Sequence, residues 1–442
     1  MAAHYILLMW LAFGAGLLQS VHCAQTSLPV RRITGKFVFP AQRCDGRDEN
    51  DWKLFSKFHS NTQQVASRAM ELGCHRRGDQ HATKYTVIYQ VMYVTDISIG
   101  TPPQPFRAII DITQSNLFVP SINCTDRAQE WEVENCLYHL MYDSVASSTY
   151  QSNLTPARLH YYGVYTWGNL SQDTVHIGDI SVEKHVFQEA TMWHPGYMID
   201  WDEQYDSVLG LARLRARNTY DDFHDSSLLE KMGRQNTLDR NVFAIRHPRT
   251  DADEGQLILG GVDDSITRSV VRLALVDSPL DGDDSNFIAF ASAGWVVAAS
   301  SLALGAYLDQ DPLTIPLPNY IAVLTNGYGN MMLPQRMADQ IAEYLQWDDW
   351  LDDFPCEQRD RFPNLTISLG PQQQAFVLSP WQYMPEVTDP EGHQRCLLPF
   401  DPMYQDGAHP DYILLGGSFL ASFYTEFDLD QKTIGLANYT RL

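Results

Sequence analysis

With 442 residues, 44% of them hydrophobic and 12% aromatic, the chain is long enough to bury a large core and to divide into two lobes. A formal net charge of −23 argues against nucleic acid or an anionic membrane surface as a partner. Seven cysteines without a second cysteine or histidine at ligand spacing give no support to a zinc site, so neither a metal nor a cofactor is expected.

Residues 1–23 carry no charged side chain, and Tyr5 to Leu18 is nearly all apolar. That run is short for a membrane span, and Val21-His22-Cys23 followed by Ala24 offers a small-residue cleavage site. It reads as a secretory signal peptide, with an uncleaved anchor as the alternative. No later apolar run approaches the length of a span, so the protein is expected to have none once the signal is cleaved. Loss of Cys23 leaves six cysteines, an even number that fits disulfides in an oxidising compartment.

Residues 24–85 form a basic leader, with 11 Lys+Arg against 6 Asp+Glu, which places −28 on the remainder. Opposite potentials would hold such a leader over an acidic body. A basic linker with its own disulfide is the other reading.

The body reads as all-β: short runs of Val, Ile, Tyr and Phe separated by Gly, Asp, Asn and Pro turns. A first β lobe is expected over 86–250 and a second over 251–442. The clearest helix signals are Ser226 to Met232 and Gln335 to Leu345, the latter introduced by Pro334. Glycosylation sequons stand at Asn123, Asn153, Asn169, Asn364 and Asn438, as in the loops of a secreted protein.

One stretch organises the rest. The apolar strand Phe106-Arg107-Ala108-Ile109-Ile110 delivers a single carboxylate, Asp111, to a polar turn that leads into Leu117-Phe118-Val119-Pro120-Ser121. A carboxylate at the end of a buried strand is costly unless its charge is stabilised, which marks a site.

Gly100-Thr101-Pro102-Pro103-Gln104 followed by D-I-T-Q-S-N-L-F-V-P-S resembles the first active-site motif of the pepsin-like aspartic peptidases. Asp111, Ser115, Asn116, Leu117, Val119, Pro120 and Ser121 match; Ile112, Thr113, Gln114 and Phe118 depart, the last from a tryptophan. Further ordered matches run to the C-terminus: Tyr205 to Ala212, Leu257 to Asp263, Tyr412 to Leu420 and Phe423 to Asp428. The resemblance implies a two-lobed, all-β acid-protease fold with a central cleft. It implies disulfides Cys124–Cys136 and Cys356–Cys396, which leaves Cys44 and Cys74 as a third pair. It makes the basic leader prosegment-like, and it places the flap around Tyr161 or Tyr162 and Gly163.

The family's chemistry needs two aspartates sharing a proton around one water. After the strand Tyr320 to Leu324, this chain reads Thr325-Asn326-Gly327, which puts Thr325 where the second aspartate belongs. A threonine hydroxyl is no general acid or base near neutral or mildly acidic pH. The threonines that grip across the lobes are replaced by Ile112 and Asn326, and Thr113 replaces a glycine; of that second motif, Gly327 is kept. The bland reading of Asp111 is a leftover carboxylate satisfied by turn amides and the Ser115 hydroxyl.

The resulting expectation is a secreted, monomeric, non-catalytic homologue, with Asp111 kept at the first catalytic position and Thr325 replacing the second, that binds a peptide or an extended protein segment in its cleft through Tyr161 or Tyr162, Gly163 and Gly327. Two alternatives remain: an active aspartic endopeptidase with a non-standard dyad, and a structural or ligand-sequestering glycoprotein with a closed cleft.

Overall fold

The computed structural model describes residues 24–43, 69–72, 83–124, 136, 139–161, 164–194, 200–201, 205–214, 227–277, 291–347, 353–388, 393–403 and 411–438. The signal segment, Cys44, Cys74, Tyr162 and Gly163 lie outside them.

Each lobe presents its half of the cleft by the same device. In the first, Gln104–Asp111 pairs antiparallel with Thr83–Ile99 and parallel with Ser207–Gly210, with Gly210 opposite Asp111. In the second, Leu313–Leu324 pairs antiparallel with Val296–Leu304 and parallel with Tyr412–Leu415, with Leu415 opposite Leu324. Both strands begin with alternating exposure and end fully buried, because a second neighbour joins only at the end that leads to the turn.

A glycine follows or ends each parallel partner, and close approach requires it. A Cβ on Gly210 would lie 2.6 Å from Gln114 O, and one on Gly416 would lie 1.9 Å from Asn330 O. Backbone bonds from Leu211 to Asp111 O (2.8 Å) and from Gly417 to Tyr328 O (2.6 Å) then hold the turns in place. The architecture is thus two-lobed and strand-dominated, as the sequence implies.

A sheet across the back joins the lobes in the order Val271–Ala274, Thr433–Asn438, Phe423–Asp428, Val242–Arg246, Glu254–Leu259 and Thr26–Arg43. The beginning of the basic leader is therefore a strand of this sheet, in register from Thr26 opposite Leu259 to Arg31 opposite Glu254. Its residues alternate in and out: Thr26, Leu28, Val30 and Arg32 point inward. Burying Leu28 and Val30 stabilises by roughly 1.5–3 kcal/mol each. Arg32 bonds Glu386 O at 2.5 Å and pairs with Asp251 at 3.3 Å.

Two helices match the sequence signals. Leu228–Gln235 is capped by the Ser227 side chain on Glu230 N and buries Leu228, Leu229 and Met232. Gln335–Leu345 follows Pro334 and buries Met337, Ile341 and Leu345. Cys124–Cys136 and Cys356–Cys396 are bonded. Among the described residues no helix is long and apolar enough to cross a membrane.

Candidate active site

Asp111 is wholly buried. Its Oδ1 accepts from Thr113 N at 2.7 Å and from Thr113 Oγ1 at 2.6 Å, and its Oδ2 accepts from the Tyr161 hydroxyl at 3.2 Å. Hydrogen bonds to a charged group contribute about 1.5–3 kcal/mol each, which is how this carboxylate is tolerated inside the protein. The Ser115 hydroxyl takes no part: it is buried and makes no hydrogen bond among the described residues. That corrects the expectation from sequence, since Thr113 supplies both the amide and the hydroxyl.

Thr325 is also wholly buried, with Oγ1 3.2 Å from Thr113 Oγ1. Thr113 has one hydroxyl proton, and Asp111 receives it. The proton between the two threonines is therefore donated by Thr325. A one-way chain, Thr325 to Thr113 to Asp111, joins the turns of the two lobes where the family motif has a facing carboxylate. Thr113, standing at a glycine position, is its middle link.

Asn326 overturns part of the reading from sequence. Its Oδ1 accepts from Ile112 N at 2.9 Å, and its Nδ2 donates to Ile110 O at 3.0 Å. One amide from the second lobe thus clamps the backbone on both sides of Asp111. The grip is not lost from both halves. Asparagine carries a donor and an acceptor, as threonine does, and makes the second lobe's half of it. The reciprocal half is absent, because Ile112 has no polar side-chain atom and packs in the core. Behind Asn326, His247 Nε2 lies 3.4 Å from Nδ2. Burial holds the pKa of His247 down to about 3, so the imidazole is neutral.

Tyr161, at the end of the hairpin strand Gln151–Tyr161, is the tyrosine that reaches Asp111. Only 2% of it is exposed, with its ring 5.8 Å from Phe118 and 6.3 Å from Tyr205. Phe118 stands where the motif has a tryptophan and offers no ring N–H, so the neighbouring ring gives the Tyr161 hydroxyl nothing to bond. Gly327 is buried in the turn after Thr325. The next residue, Tyr328, donates to Asp401 Oδ2 at 3.3 Å, and Asn330 Nδ2 bonds the same oxygen at 3.0 Å. Asp401 had no motif to announce it.

The other buried carboxylates among the described residues have partners of their own. Asp173 is held by Tyr142 and Thr149, and Glu189 by Ser121 and Ser171. Asp206 accepts from the Arg107 and Leu140 amides, and Glu426 pairs with Arg272.

A family model described as eukaryotic aspartyl protease matches residues 92–439. The chain belongs to that family. Vacuolar protease A of Arthroderma otae is 31% identical over 78% of this chain and 78% of its own length. The vacuolar aspartic protease of Candida albicans is 29% identical, covering 82% of this chain and 78% of that protein. Cathepsin D of Bos taurus is 29% identical, covering 79% and 85%. The clamped Asp111 and the hydroxyl chain from Thr325 lie within the matched residues.

Proposed function

We propose that this protein is a member of the family without peptidase activity, and that its cleft holds an extended peptide or a segment of a partner without cutting it. The observation that carries this reading is Thr325. It occupies the position facing Asp111, it is buried, and its hydroxyl is engaged by Thr113. Peptide hydrolysis by this fold requires one group to take a proton from water while its partner gives one to the carbonyl. Each such catalyst contributes about 10²–10⁴-fold, and threonine supplies neither role. Asp111 remains as a polar group for a peptide backbone once the Tyr161 hydroxyl leaves it.

A lumenal or secreted location fits two disulfides and five sequon asparagines that are all exposed. The vacuolar naming of two of its relatives points to the same class of compartment.

A second reading, a glycoprotein with a closed cleft that acts through its outer surface, is favoured by the burial of Tyr161 against Asp111. Fluorescence anisotropy with labelled peptides bearing adjacent hydrophobic pairs separates the two. Saturable binding displaced by pepstatin supports the cleft, and no binding with an intact fold supports the closed form.

A further inference from the structure

A cavity of about 770 Å³ opens between the leader strand, the turn after Val242–Arg246 and the second-lobe segment around Trp381 to Val387. Neither Asp111, Thr325 nor Tyr161 lines it. Its size is that of a small-molecule site and far beyond the room a single water needs.

Its lining holds unspent hydrogen-bond donors. Asn326 Nδ2 is a donor, so the His247 Nε2 that faces it is an acceptor. The proton of the neutral imidazole is therefore on Nδ1. That Nδ1–H is buried and has no partner among the described residues, and the same holds for Ser418 Oγ. A buried donor left unpaired is destabilising, and an acceptor in the cavity would relieve it. His247 is 4% exposed and Ser418 8%, and both line the cavity.

The arginines are unequal. Arg32 is taken by Asp251 and Glu386 O, and Arg359 by the Glu386 carboxylate. Arg249, on the cavity wall, has no hydrogen bond or close ion pair among the described residues, though the Glu386 and Asp253 charges act on it from a distance. Asp253 and Glu254 line the wall too, so the attraction comes from placed donors rather than from net charge. Between these donors lie apolar surfaces, chiefly the buried Tyr93 and Met384. Half-exposed Trp381 closes one side, stacked under Arg359 at 3.8 Å.

We propose that this cavity binds a small organic anion, an apolar body carrying a carboxylate, with the carboxylate held by Arg249, His247 Nδ1–H and Ser418 Oγ. The site is separate from the cleft and does not rest on the reading of Thr325. It approaches the cleft through His247, which faces the Asn326 clamp, and through Gly329 and Asn330 of the turn that carries Thr325.

The probe is 2-naphthoate, titrated into the intact protein at pH 6 by isothermal calorimetry, with uncharged 2-naphthamide as its control. The expected result is saturable one-to-one binding of the acid, at least tenfold weaker binding of the amide, and at least tenfold weaker binding of the acid by Arg249→Gln. Arg249 is a surface residue, so that variant keeps the fold, and the amide control needs no variant. Pepstatin should leave the binding unchanged. Silence at millimolar 2-naphthoate overturns the proposal. So does equal binding of acid and amide, which means adventitious apolar contact only, or displacement by pepstatin, which places the probe in the cleft.

Discussion

Replacing Asn326 with alanine removes the clamp that holds Asp111 in place across the lobes. Two hydrogen bonds disappear, from Ile112 N at 2.9 Å and to Ile110 O at 3.0 Å. The site is 2% exposed at Asn326 and wholly buried at Ile110 and Ile112, so water does not replace the amide. The cost is then that of stranding a buried N–H and a buried C=O, about 1–3 kcal/mol each, rather than the smaller net worth of a hydrogen bond. Asn326→Ala should lower stability by about 2–6 kcal/mol, read from the urea midpoint with the slope unchanged. Hydrogen exchange gives the local test, since the Ile112 amide should lose protection before the neighbouring strand does. Asn326→Thr, with a donor and an acceptor on a shorter side chain, should recover part of the loss. A loss below about 0.5 kcal/mol for the alanine variant, within the range of a neutral surface change, with the Ile112 amide still protected, would refute the clamp.

Tyr161→Phe removes the hydroxyl that competes for Asp111 Oδ2, so peptide affinity should rise by up to about tenfold, equal to about 1.4 kcal/mol, and weaker binding would argue against a closed resting flap. Thr325→Asp should restore no cleavage by itself, because Thr113 still occupies the space between the turns, and the variant should be less stable at pH 7 than in acid as two close carboxylates shed their repulsion. Fluorogenic assay of Thr325→Asp with and without Thr113→Gly checks this, and strong cleavage by the single variant would show that Thr113 is no obstacle. His247 titrates near 6.5 when unfolded and about 3 when folded, so its contribution to stability is present above pH 6.5 and is lost as pH falls toward 3. His247→Gln should flatten that acid slope, and an unchanged slope would assign the sensitivity to other groups.

Much of this was legible in the sequence because the fold repeats one local device. An apolar strand ends at a polar turn, and a later Leu-Gly or Gly-Gly pair marks the parallel strand that packs on that turn. Gly210 and Gly416 are readable since no other residue allows the approach. The reading of Thr325 rests on register instead, from the strand before it and Pro334 after it. The behaviour of Asn326 was not, since comparison by residue type treats an asparagine at a threonine position as a loss. Only geometry shows that its amide spans both Ile112 N and Ile110 O. Thr113 was half legible: a side chain at a glycine position does stand between the turns, but only the structure shows that it also satisfies Asp111. Asp401 and His247 sit in no motif, and only the folding of distant segments onto Asn330 and Asn326 gives them a place.

The most direct test of the account is a fluorogenic peptide library incubated with the purified native protein from pH 2 to 7, alongside Asp111→Asn. With Thr325 facing Asp111, the native protein should release no more product than the variant at any pH. Pepstatin-sensitive cleavage by the native protein that disappears in Asp111→Asn would contradict the account.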